Sequence, residues 1–193
     1  MILRAADRVA VPWKNGGGLT REVAVHPAGS DLGGFDWRVS LAEVRSPGPF
    51  SSFPGIDRHL AVISGRLALT IAGGPTALLA PGSPACFFPG DLPAAAEPIE
   101  SPVRDLNVMT RRGRCRARLR RYDAGNDTPL SLHADNTFLL ALAPLTVRAA
   151  GETVELGALD AAQLRAQRDA PLAVSGVGAA PDFWLIEIEA ACV

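Results

Sequence analysis

The sequence predicts an all-β protein. Nineteen glycines and sixteen prolines are scattered through the 193 residues and divide the chain into short apolar runs. These runs recur at short intervals with turn residues between them, a pattern typical of β-sandwiches and β-barrels. The one stretch with a helical pattern, Leu159–Gln167, is short. We therefore expect strands to dominate the fold, with little helix.

The candidate strands are short apolar or alternating segments bounded by Gly, Pro, Asn, Asp or Ser. In chain order they are Thr20–Val25, Phe35–Val44, Arg58–Ile63, Arg66–Ile71, Ala85–Phe88, Val103–Thr110, Gly113–Tyr122, Thr137–Leu142, Leu145–Arg148, Glu152–Leu156, Leu172–Val174 and Phe183–Ile188. Only Ser64 and Gly65 separate the third segment from the fourth, which predicts a β-hairpin with a two-residue turn.

A polar, turn-rich segment, Tyr122–Pro129, marks a boundary between two β units. We predict a larger N-terminal unit over residues 1–122 and a smaller C-terminal unit over residues 123–193. The second unit is small for an independent domain, so we expect it to pack on the first.

Composition and charge exclude several classes of function. A hydrophobic content of 48% with 20% charged residues is typical of a soluble globular protein. The net charge of −1 disfavours a partner bound through phosphates. No apolar run approaches the roughly 20 residues that cross a bilayer, and the first residues lack a secretion signal. Three widely spaced cysteines suit a reducing compartment. We predict a cytoplasmic protein with no nucleic-acid or membrane partner.

The run Arg111–Arg121 contains seven arginines and resembles a nucleic-acid stripe. Its arginines alternate with small or apolar residues, a pattern typical of a strand with one solvated face. No aromatic residues interleave to stack bases. We rank a nucleic-acid or protein-interaction module last among the functions. A homodimer through an exposed strand edge is compatible with the sequence, which does not specify it.

Two of the predicted strands have one apolar face and one face with specific polar groups. Arg38 and Ser40 lie on one face of the second segment, and Asp105 and Asn107 lie on one face of the sixth. Either these groups point to solvent, or they line the inside of a barrel that holds a ligand. In a barrel, Arg38 would pair with Asp105, or Arg111 would replace one of them.

Lys14 is the only lysine, against 18 arginines, and lies in the segment Pro12–Gly18 with three glycines. An ammonium group is a compact charge whose pKa shifts readily, unlike a guanidinium. With Arg38 and Arg111 it would make a cation-rich pocket for an anionic small molecule. Asn15 and Asn107 would orient amide groups and Trp13 would form a wall. The alternative is an enzyme with Lys14 as base or Schiff-base former and Asp105 as a second proton carrier.

Metal and nucleophile signatures are missing from the sequence. His26, His59 and His133 are far apart, and no two have the spacing of metal ligands. There is no GxSxG elbow and no Cys–His pattern of a nucleophile. The glycine triplet lacks the Lys-Ser/Thr of a phosphate loop. We predict no metal site and no cofactor.

Four blocks of residues together resemble the HutD/Ves family of cupin-like proteins. They occur in the family's order over roughly residues 1–122, and the C-terminal third resembles the family only in its pattern of short strands. The blocks are Pro12–Gly18 with Thr20, Phe35–Ser40, Gly48–Arg58, and Asp105–Met109 with Arg111–Gly113.

The resemblance implies a cupin-type double-stranded β-helix barrel in a bicupin arrangement, often without the cupin metal ligands. Family members are linked to histidine utilisation, where one is thought to bind an intermediate such as formylglutamate and restrain flux. The resemblance thus favours a metal-independent protein that binds a small acidic metabolite and regulates histidine utilisation over a metal-free isomerase, lyase or hydrolase using Lys14 and Asp105. The residues at the family's signature positions are Trp13, Lys14, Asn15, Arg38, Ser40, Asp105, Asn107 and Arg111.

Overall fold

A computed structural model describes residues 1–123, 128–134, 136–149, 151–164 and 172–191. Within these residues the chain is built of strands, and its helix is limited to one 3-10 turn, Ala5–Asp7. The predicted all-β class is therefore confirmed. The strands are β1 Ile2–Leu3, β2 Ala10–Pro12, β3 Gly18–His26, β4 Trp37–Val44, β5 Gly48–Pro49, β6 Ile56–Ile71, β7 Ala77–Leu79, β8 Cys86–Pro89, β9 Ala94–Arg111, β10 Cys115–Tyr122, β11 Thr128–Leu130, β12 Asn136–Ala141, β13 Leu145–Ala149, β14 Glu152–Leu156, β15 Ala161–Leu164, β16 Leu172–Gly176 and β17 Phe183–Ala190.

Backbone contacts divide the chain into two units. The larger unit consists of residues 8–116 with the C-terminal end of the chain, and the smaller one of Met1–Asp7 with Ala117–Glu189. In the larger unit, an eight-stranded sheet has the order β2-β3-β4-β9-β6-β7, with β5 paired to β9 and β8 paired to β6. The other two sheets have the orders β1-β15-β12-β17-β10 and β11-β16-β13-β14.

The pairings among the described strands form three open sheets and do not close a barrel. The barrel closure and the bicupin arrangement implied by the family resemblance are not confirmed by these pairings. What the pairings do establish is the long antiparallel ladder of β6 on β9, which organises the larger unit.

The predicted hairpin at Ser64 and Gly65 is wrong. Both residues lie inside β6, which runs 16 residues without turning back and pairs with β9 along its length. The register shifts between Val62 and Ser64, and Gly65 has a φ of 78°. A Cβ at Gly65 would lie 2.6 Å from the carbonyl oxygen of Glu100. Gly65 therefore forms a bulge within a long strand. A Ser-Gly pair occurs in both bulges and turns, so the sequence alone does not distinguish them.

The predicted helix Leu159–Gln167 is also wrong where the chain is described. Ala161–Leu164 form strand β15, which lies between β1 and β12. Residues 165–167 lie outside the described residues. The helical pattern is overridden because the sheet buries Ala161 and Ala162, and strand pairing satisfies their backbone groups.

Each unit has its own buried apolar interior. We call three groups of buried residues the large cluster, the small cluster and the C-terminal cluster. The large cluster is Val44, Leu60, Val62, Leu67, Leu69, Leu79, Phe88, Ala94, Ala96 and Val103; the small cluster is Phe35, Ile56 and Met109; the C-terminal cluster is Leu130, Leu139, Ala141, Leu145, Val147, Leu156, Ala162, Leu172, Val174, Phe183 and Leu185.

Several arginines of the Arg111–Arg121 run form ion pairs within their own unit. Arg112 bonds the carboxylates of Asp57 at 2.7 Å and Asp91 at 2.6 Å. Three further pairs are Arg114–Asp36, Arg120–Glu187 and Arg121–Asp182. Much of the charge in the run is thus used to hold acidic side chains of the fold.

Candidate functional site

The candidate site is a layer of polar side chains on one face of the eight-stranded sheet. Paired residues of antiparallel strands project to the same face. Ser40 pairs with Asn107, Ala42 pairs with Asp105, and Leu60 pairs with Asn107 from the other side. The polar faces predicted for β4 and β9 therefore lie on the same side of the sheet. Leu60 of the large cluster lies on that side as well. Ser40, Asp105 and Asn107 are all buried.

Arg58 lies on the same face of the sheet and is 4% exposed. It pairs with Met109 on β9 and with Phe88 on β8. Its guanidinium carbon lies 5.0 Å from the ring centroids of Phe50 and Phe88, and 5.7 Å from that of Phe53. Cation–π attraction to three rings holds the guanidinium in place.

The Arg58 guanidinium makes no hydrogen bond to any residue in the described ranges, and its Nε is a buried donor without a partner. A buried donor of this kind is rare in native proteins and requires an explanation. A buried, oriented guanidinium with free donors is a site for a carboxylate or another planar anion.

Sequence reasoning did not identify Arg58, although a signal was present. Arg58, Leu60 and Val62 alternate on one face of β6, so an arginine occupies an apolar face. Phe50 and Phe53 lie a few residues before this strand in the sequence, and Phe87 and Phe88 come later in the chain. A charged residue in an apolar stripe near several aromatic residues indicates a buried cation.

Asp105 and Asn107 present buried acceptors without donors. Both carboxylate oxygens of Asp105 and the Oδ1 of Asn107 have no hydrogen-bond partner. Burial raises the pKa of Asp105 to about 7, an effect that the positive charge of Arg58 opposes. Burial also lowers the pKa of Arg58 to about 10, opposed by the charge of Asp105. The Arg58 guanidinium and the Asp105 carboxylate therefore interact electrostatically, although no hydrogen bond joins these two described side chains.

The predicted partners of Asp105 are wrong. Arg38 pairs with Glu22, with Nε 2.9 Å from Oε2. Glu22 lies opposite Ser40 across β3 and β4, so it is the diagonal neighbour of Arg38 on the same face. A bulge between Glu22 and Ala24 sets this register, and the sequence pattern does not reveal it. Arg38 therefore lies beside the polar layer but in an ion pair of its own.

Arg111 has a structural position at the end of β9. Its Nε and Nη2 donate to the carbonyl oxygen of Phe35 at 3.0 and 2.7 Å, and Nη2 donates to that of Gly33 at 2.9 Å. It also lies 3.7 Å from the carboxylate of Asp36. Arg111 thus fastens the loop that precedes β4 and does not reach Asp105.

Trp13 borders the aromatic residues around Arg58. Its Nε1 donates to the Thr20 hydroxyl at 2.8 Å, which fixes the ring. The ring packs against the large cluster and meets Phe50 edge to face, with centroids 6.1 Å apart. Since Phe50 stacks on Arg58, Trp13 is in place to form one wall of the site.

Lys14 and Asn15 lie at the tip of the turn between β2 and β3. The Lys14 side chain is exposed and makes no hydrogen bond or ion pair with the described residues. Asn15 Oδ1 accepts a hydrogen bond from the Gly17 amide at 3.0 Å, so the side chain stabilises the turn. Gly16 has a φ of 73°, and a Cβ at Gly18 would collide with the carbonyl oxygen of Glu43. These two glycines are explained by backbone geometry.

The structure thus brings Trp13, Ser40, Asp105 and Asn107 together on one face, with Arg58 added. It places Lys14 and Asn15 in the neighbouring turn and gives Arg38 and Arg111 partners outside the polar layer. The binding role of each residue stays a prediction.

The chain has a cupin-like fold. A cupin 2 conserved barrel domain protein from Leptotrichia buccalis superposes on this chain with a TM-score of 0.58 at 11% identity, covering 94% of this chain and 92% of that one. Because only 11% of the residues are identical, this structural similarity shows a shared cupin-like fold and nothing about function.

The family follows from sequence comparison. The HutD family model matches residues 5–180, and the chain belongs to the HutD family. A Pseudomonas putida relative, the uncharacterised 21.2 kDa protein in the hutC 3' region, is 33% identical over 189 residues, 97% of this chain and 96% of that protein. Protein Ves of Cronobacter sakazakii (strain ATCC BAA-894) is 36% identical over 112 residues, 58% of this chain and 60% of that protein. The predicted HutD/Ves membership is confirmed.

A solved structure of the same family covers the whole chain. HutD from Pseudomonas fluorescens SBW25, solved in a formate condition, is 33% identical with a TM-score of 0.82, covering 100% of this chain and 99% of that one. The chain is therefore a cupin-like protein of a family linked to histidine utilisation.

Cupin folds often hold a metal ion, but the side chains of the polar layer are not a suitable set of metal ligands. Its donors are one carboxylate, one amide and one hydroxyl, and the guanidinium of Arg58 would repel a divalent cation. In the described residues no three His, Cys, Asp or Glu side chains form a group that would hold a metal ion.

Among the described residues, no helix has the length and apolar character that a membrane span requires.

Proposed function

We propose that the protein binds a small acidic metabolite, without a metal, in the polar layer of its larger unit. The observation that supports this is Arg58, a buried guanidinium held by three phenylalanine rings with a donor that has no partner. A carboxylate is the anion whose two oxygens match the planar fork of a guanidinium. The chemistry of the site therefore favours a carboxylic acid as the ligand.

The energetics of the polar layer support the same proposal. An unsatisfied buried donor or acceptor costs roughly 1–3 kcal/mol. Arg58, Asp105 and Asn107 each have at least one such atom. A hydrogen bond to a charged group contributes roughly 1.5–3 kcal/mol when it forms. A ligand that satisfies these atoms would gain affinity from groups that the fold leaves without partners.

We assign the following roles in this proposal. Arg58 binds a carboxylate, and Asn107 with Ser40 orients the remainder of the ligand. Trp13 and the phenylalanines form an apolar wall, as in most small-molecule sites. Lys14, exposed in the neighbouring turn, contacts a second carboxylate at the edge of the site.

The family's link to histidine utilisation makes N-formyl-L-glutamate, a dicarboxylate of that degradation pathway, the first candidate. We propose that binding lets the protein regulate histidine utilisation in the cytoplasm. The proposal also retains the bicupin arrangement, in which each unit is a cupin-like barrel.

Calorimetric titration tests this function directly. N-formyl-L-glutamate, urocanate and formate, the smallest carboxylate, would be titrated into the protein and into Arg58→Met. We expect at least one acid to bind, and Arg58→Met to weaken that binding at least roughly 30-fold, since a charge-assisted pair is lost. Arg66→Met, which removes an exposed arginine, is the matched control. Absence of binding by every acid would contradict the proposal.

An enzyme remains the second candidate because of one observation. The pKa of Asp105, raised by burial to about 7, suits proton transfer near neutral pH. The exposed position of Lys14 does not supply the apolar pocket that activates a lysine as a base or Schiff-base former. NMR of the same acids during incubation with the protein tests this alternative. Turnover that is lost in both Lys14→Met and Asp105→Asn would favour an isomerase, lyase or hydrolase over a binding protein.

A further inference from the structure

We propose that Arg112 is a positioning residue for the site at Arg58, because it fastens the turn that places the Phe53 ring over the guanidinium. This inference rests on the proposed function, and it concerns how the site is closed rather than which ligand enters it. Arg112 lies outside the polar layer, so it acts through Phe53 and not by contact with a ligand.

The three rings around the Arg58 guanidinium are held in different ways. Phe88 is buried within strand β8. Phe50 directly follows β5 and continues its ladder, since its amide donates to the Ala94 carbonyl oxygen at 2.8 Å. Phe53 lies in no strand, and its ring centroid is 5.7 Å from the guanidinium carbon, compared with 5.0 Å for the other two rings. The position of Phe53 therefore depends on the loop that carries it.

Phe53 begins a β-turn that ends at Ile56, whose amide donates to the Phe53 carbonyl oxygen at 3.2 Å. Pro54 and Gly55 occupy the central positions and Gly55 has a φ of 72°, a combination that favours a type II turn. The Phe53 amide donates to the Gly90 carbonyl oxygen at 2.8 Å, and the Gly90 amide donates to that of Ile56 at 2.6 Å. A Cβ at Gly90 would lie 2.9 Å from both turn carbonyl oxygens. The turn therefore packs directly on the loop after β8.

Arg112, the residue after β9, joins this turn to two neighbouring elements. Its amide donates to the Gly55 carbonyl oxygen at 2.8 Å. Its Nη2 donates to Asp57 Oδ1 at 2.7 Å and to Asp91 Oδ2 at 2.6 Å, and its Nε donates to Asp57 Oδ1 at 2.9 Å. Asp91 Oδ1 accepts from the Gly55 amide at 2.8 Å, and this bond, followed by those from Arg112, lowers the pKa of Asp91. We call Arg112, Asp57, Asp91 and Gly55 the latch.

The latch differs from an isolated surface ion pair, which contributes little to stability. One guanidinium here bridges two carboxylates from different elements, a geometry that suits a planar fork of donors and not an ammonium. Asp57 directly precedes Arg58 on β6, and Asp91 follows β8, the strand that carries Phe88. The latch thus connects the turn of Phe53 to the elements that carry the cation and a second ring.

Loss of the latch should free the Phe53 turn while the strands stay in place. The backbone ladders of β6, β8 and β9 do not involve the Arg112 side chain. Without the Phe53 ring, water would reach the Arg58 Nε, and the guanidinium would lose part of the cation–π contact that orients it. A less preorganised guanidinium binds an anion more weakly.

Proton–nitrogen NMR of the ligand-free protein tests the positioning role directly. The buried Arg58 Nε–H, assigned by its loss in Arg58→Met, should exchange with water at least about fivefold faster in Arg112→Met, because local opening governs exchange. Arg112→Lys should be intermediate, since it keeps the charge without the fork. Asp91→Asn is a second latch variant and should change exchange in the same direction. Arg66→Met, at an exposed arginine paired with Glu100, should leave exchange unchanged.

A double-mutant cycle then tests whether Arg112 acts through Phe53. We expect Arg112→Met and Phe53→Leu each to weaken calorimetric binding of N-formyl-L-glutamate about three- to tenfold through lost preorganisation. The variant with both changes should bind no more than about twofold more weakly than Phe53→Leu alone, because the two residues share one effect.

The outcomes distinguish this inference from the proposed function. If no acid binds to the parent protein, the proposed function fails and the exchange of the Arg58 Nε–H alone decides whether the latch positions the ring. Parent-like exchange in Arg112→Met overturns the inference while the function stands. The inference is also overturned if the parent binds and Arg112→Met keeps full affinity, or if the losses from Arg112→Met and Phe53→Leu are additive.

Discussion

Two buried carboxylates, Asp160 in the smaller β unit and Asp105 in the larger one, differ in the partners that the fold gives them. In the smaller unit, Asp160 accepts hydrogen bonds from the Ala5 amide at 2.7 Å and the Gly157 amide at 3.0 Å, and pairs with Arg4 at 2.7 Å. In the larger unit, neither oxygen of Asp105 has a partner. The first acid is fully used by the fold, whereas the second is not.

Glu187 and the apolar interior of the smaller unit show the same contrast. Glu187 pairs with Arg120 at 2.8 Å and accepts from the His133 amide at 3.1 Å. The C-terminal cluster beside it contains only apolar side chains. In the larger unit, the polar layer lies between the large and small clusters on one sheet face. Buried polar groups without partners destabilise a fold, so the concentration of such groups at Arg58, Asp105 and Asn107 marks the polar layer as the candidate site.

The largest expected effect lies in the apolar interior of the smaller unit. Leu185 is fully buried there, so Leu185→Ala should lower the free energy of unfolding by about 3–4 kcal/mol through lost burial and a cavity. Ligand affinity measured on the remaining folded protein should not change. Urea unfolding and calorimetry provide the two readouts. A large loss of affinity in the folded variant would break the division of roles between the units.

A second prediction concerns the pH dependence of stability. Burial raises the pKa of Asp105 in the folded protein to about 7, well above its ordinary value in an unfolded chain, so the folded protein binds a proton more tightly than the unfolded chain does. Stability from this group is therefore present at low pH and is lost as pH rises through about 7. Asp105→Asn should be more stable than the parent protein by roughly 2–4 kcal/mol at pH 8.5, with a smaller gain at pH 5.

Denaturant unfolding at both pH values checks this prediction. Asp160→Asn is the matched comparison, because burial raises the pKa of Asp160 while its hydrogen bonds and Arg4 bring it below the usual value. Its stabilisation is present above the unfolded pKa and is lost on acidification, so this variant should be less stable at pH 8.5. Equal signs for the two variants would contradict the comparison of the two acids.

A third prediction concerns ligand binding as pH changes. Ionised Asp105 is the better acceptor, so affinity for N-formyl-L-glutamate should rise at least about threefold from pH 6 to pH 8. The other charged groups on this sheet face are Arg58 on β6, the Arg38–Glu22 pair on β4 and β3, and Arg111 at the end of β9. Asp105→Asn should flatten the profile. A rise in affinity toward acid pH would instead indicate that protonated Asp105 donates to the ligand.

The smallest effect is expected at the turn. Lys14→Arg keeps the positive charge but replaces a compact ammonium with a wider guanidinium. We expect affinity for a dicarboxylate to fall about three- to tenfold, with the free energy of unfolding within roughly 0.5 kcal/mol of the parent because the residue is exposed. Unchanged affinity would mean that the single lysine of the chain has no part in binding.

Period-2 alternation predicts the polar faces of β4 and β9 that form part of the site. It placed Ser40 on one face of β4, and Asp105 and Asn107 on one face of β9, and the observed register brings these faces together. The family resemblance singles out the block that contains Trp13, whose ring packs against the large cluster. These features are local, since they depend on residues close together in the sequence.

The partners of the polar residues were not predictable because they depend on long-range register. Arg58 reaches the site only because β6 pairs with β9, and the sequence instead predicted a local hairpin within β6. The bulge at Glu22 gave Arg38 an ion pair that alternation does not show. A bulge and a turn use the same Ser-Gly residues, so only tertiary pairing distinguishes them.

A crystal structure of the protein with N-formyl-L-glutamate tests the central claim most directly. The proposal predicts the ligand in the polar layer, with a carboxylate within about 3 Å of the Arg58 guanidinium and the amide N–H within about 3 Å of an Asp105 oxygen. Ligand bound only at the exposed arginine-rich strand β10 or at the turn around Lys14, with Arg58 and Asp105 untouched, would contradict it.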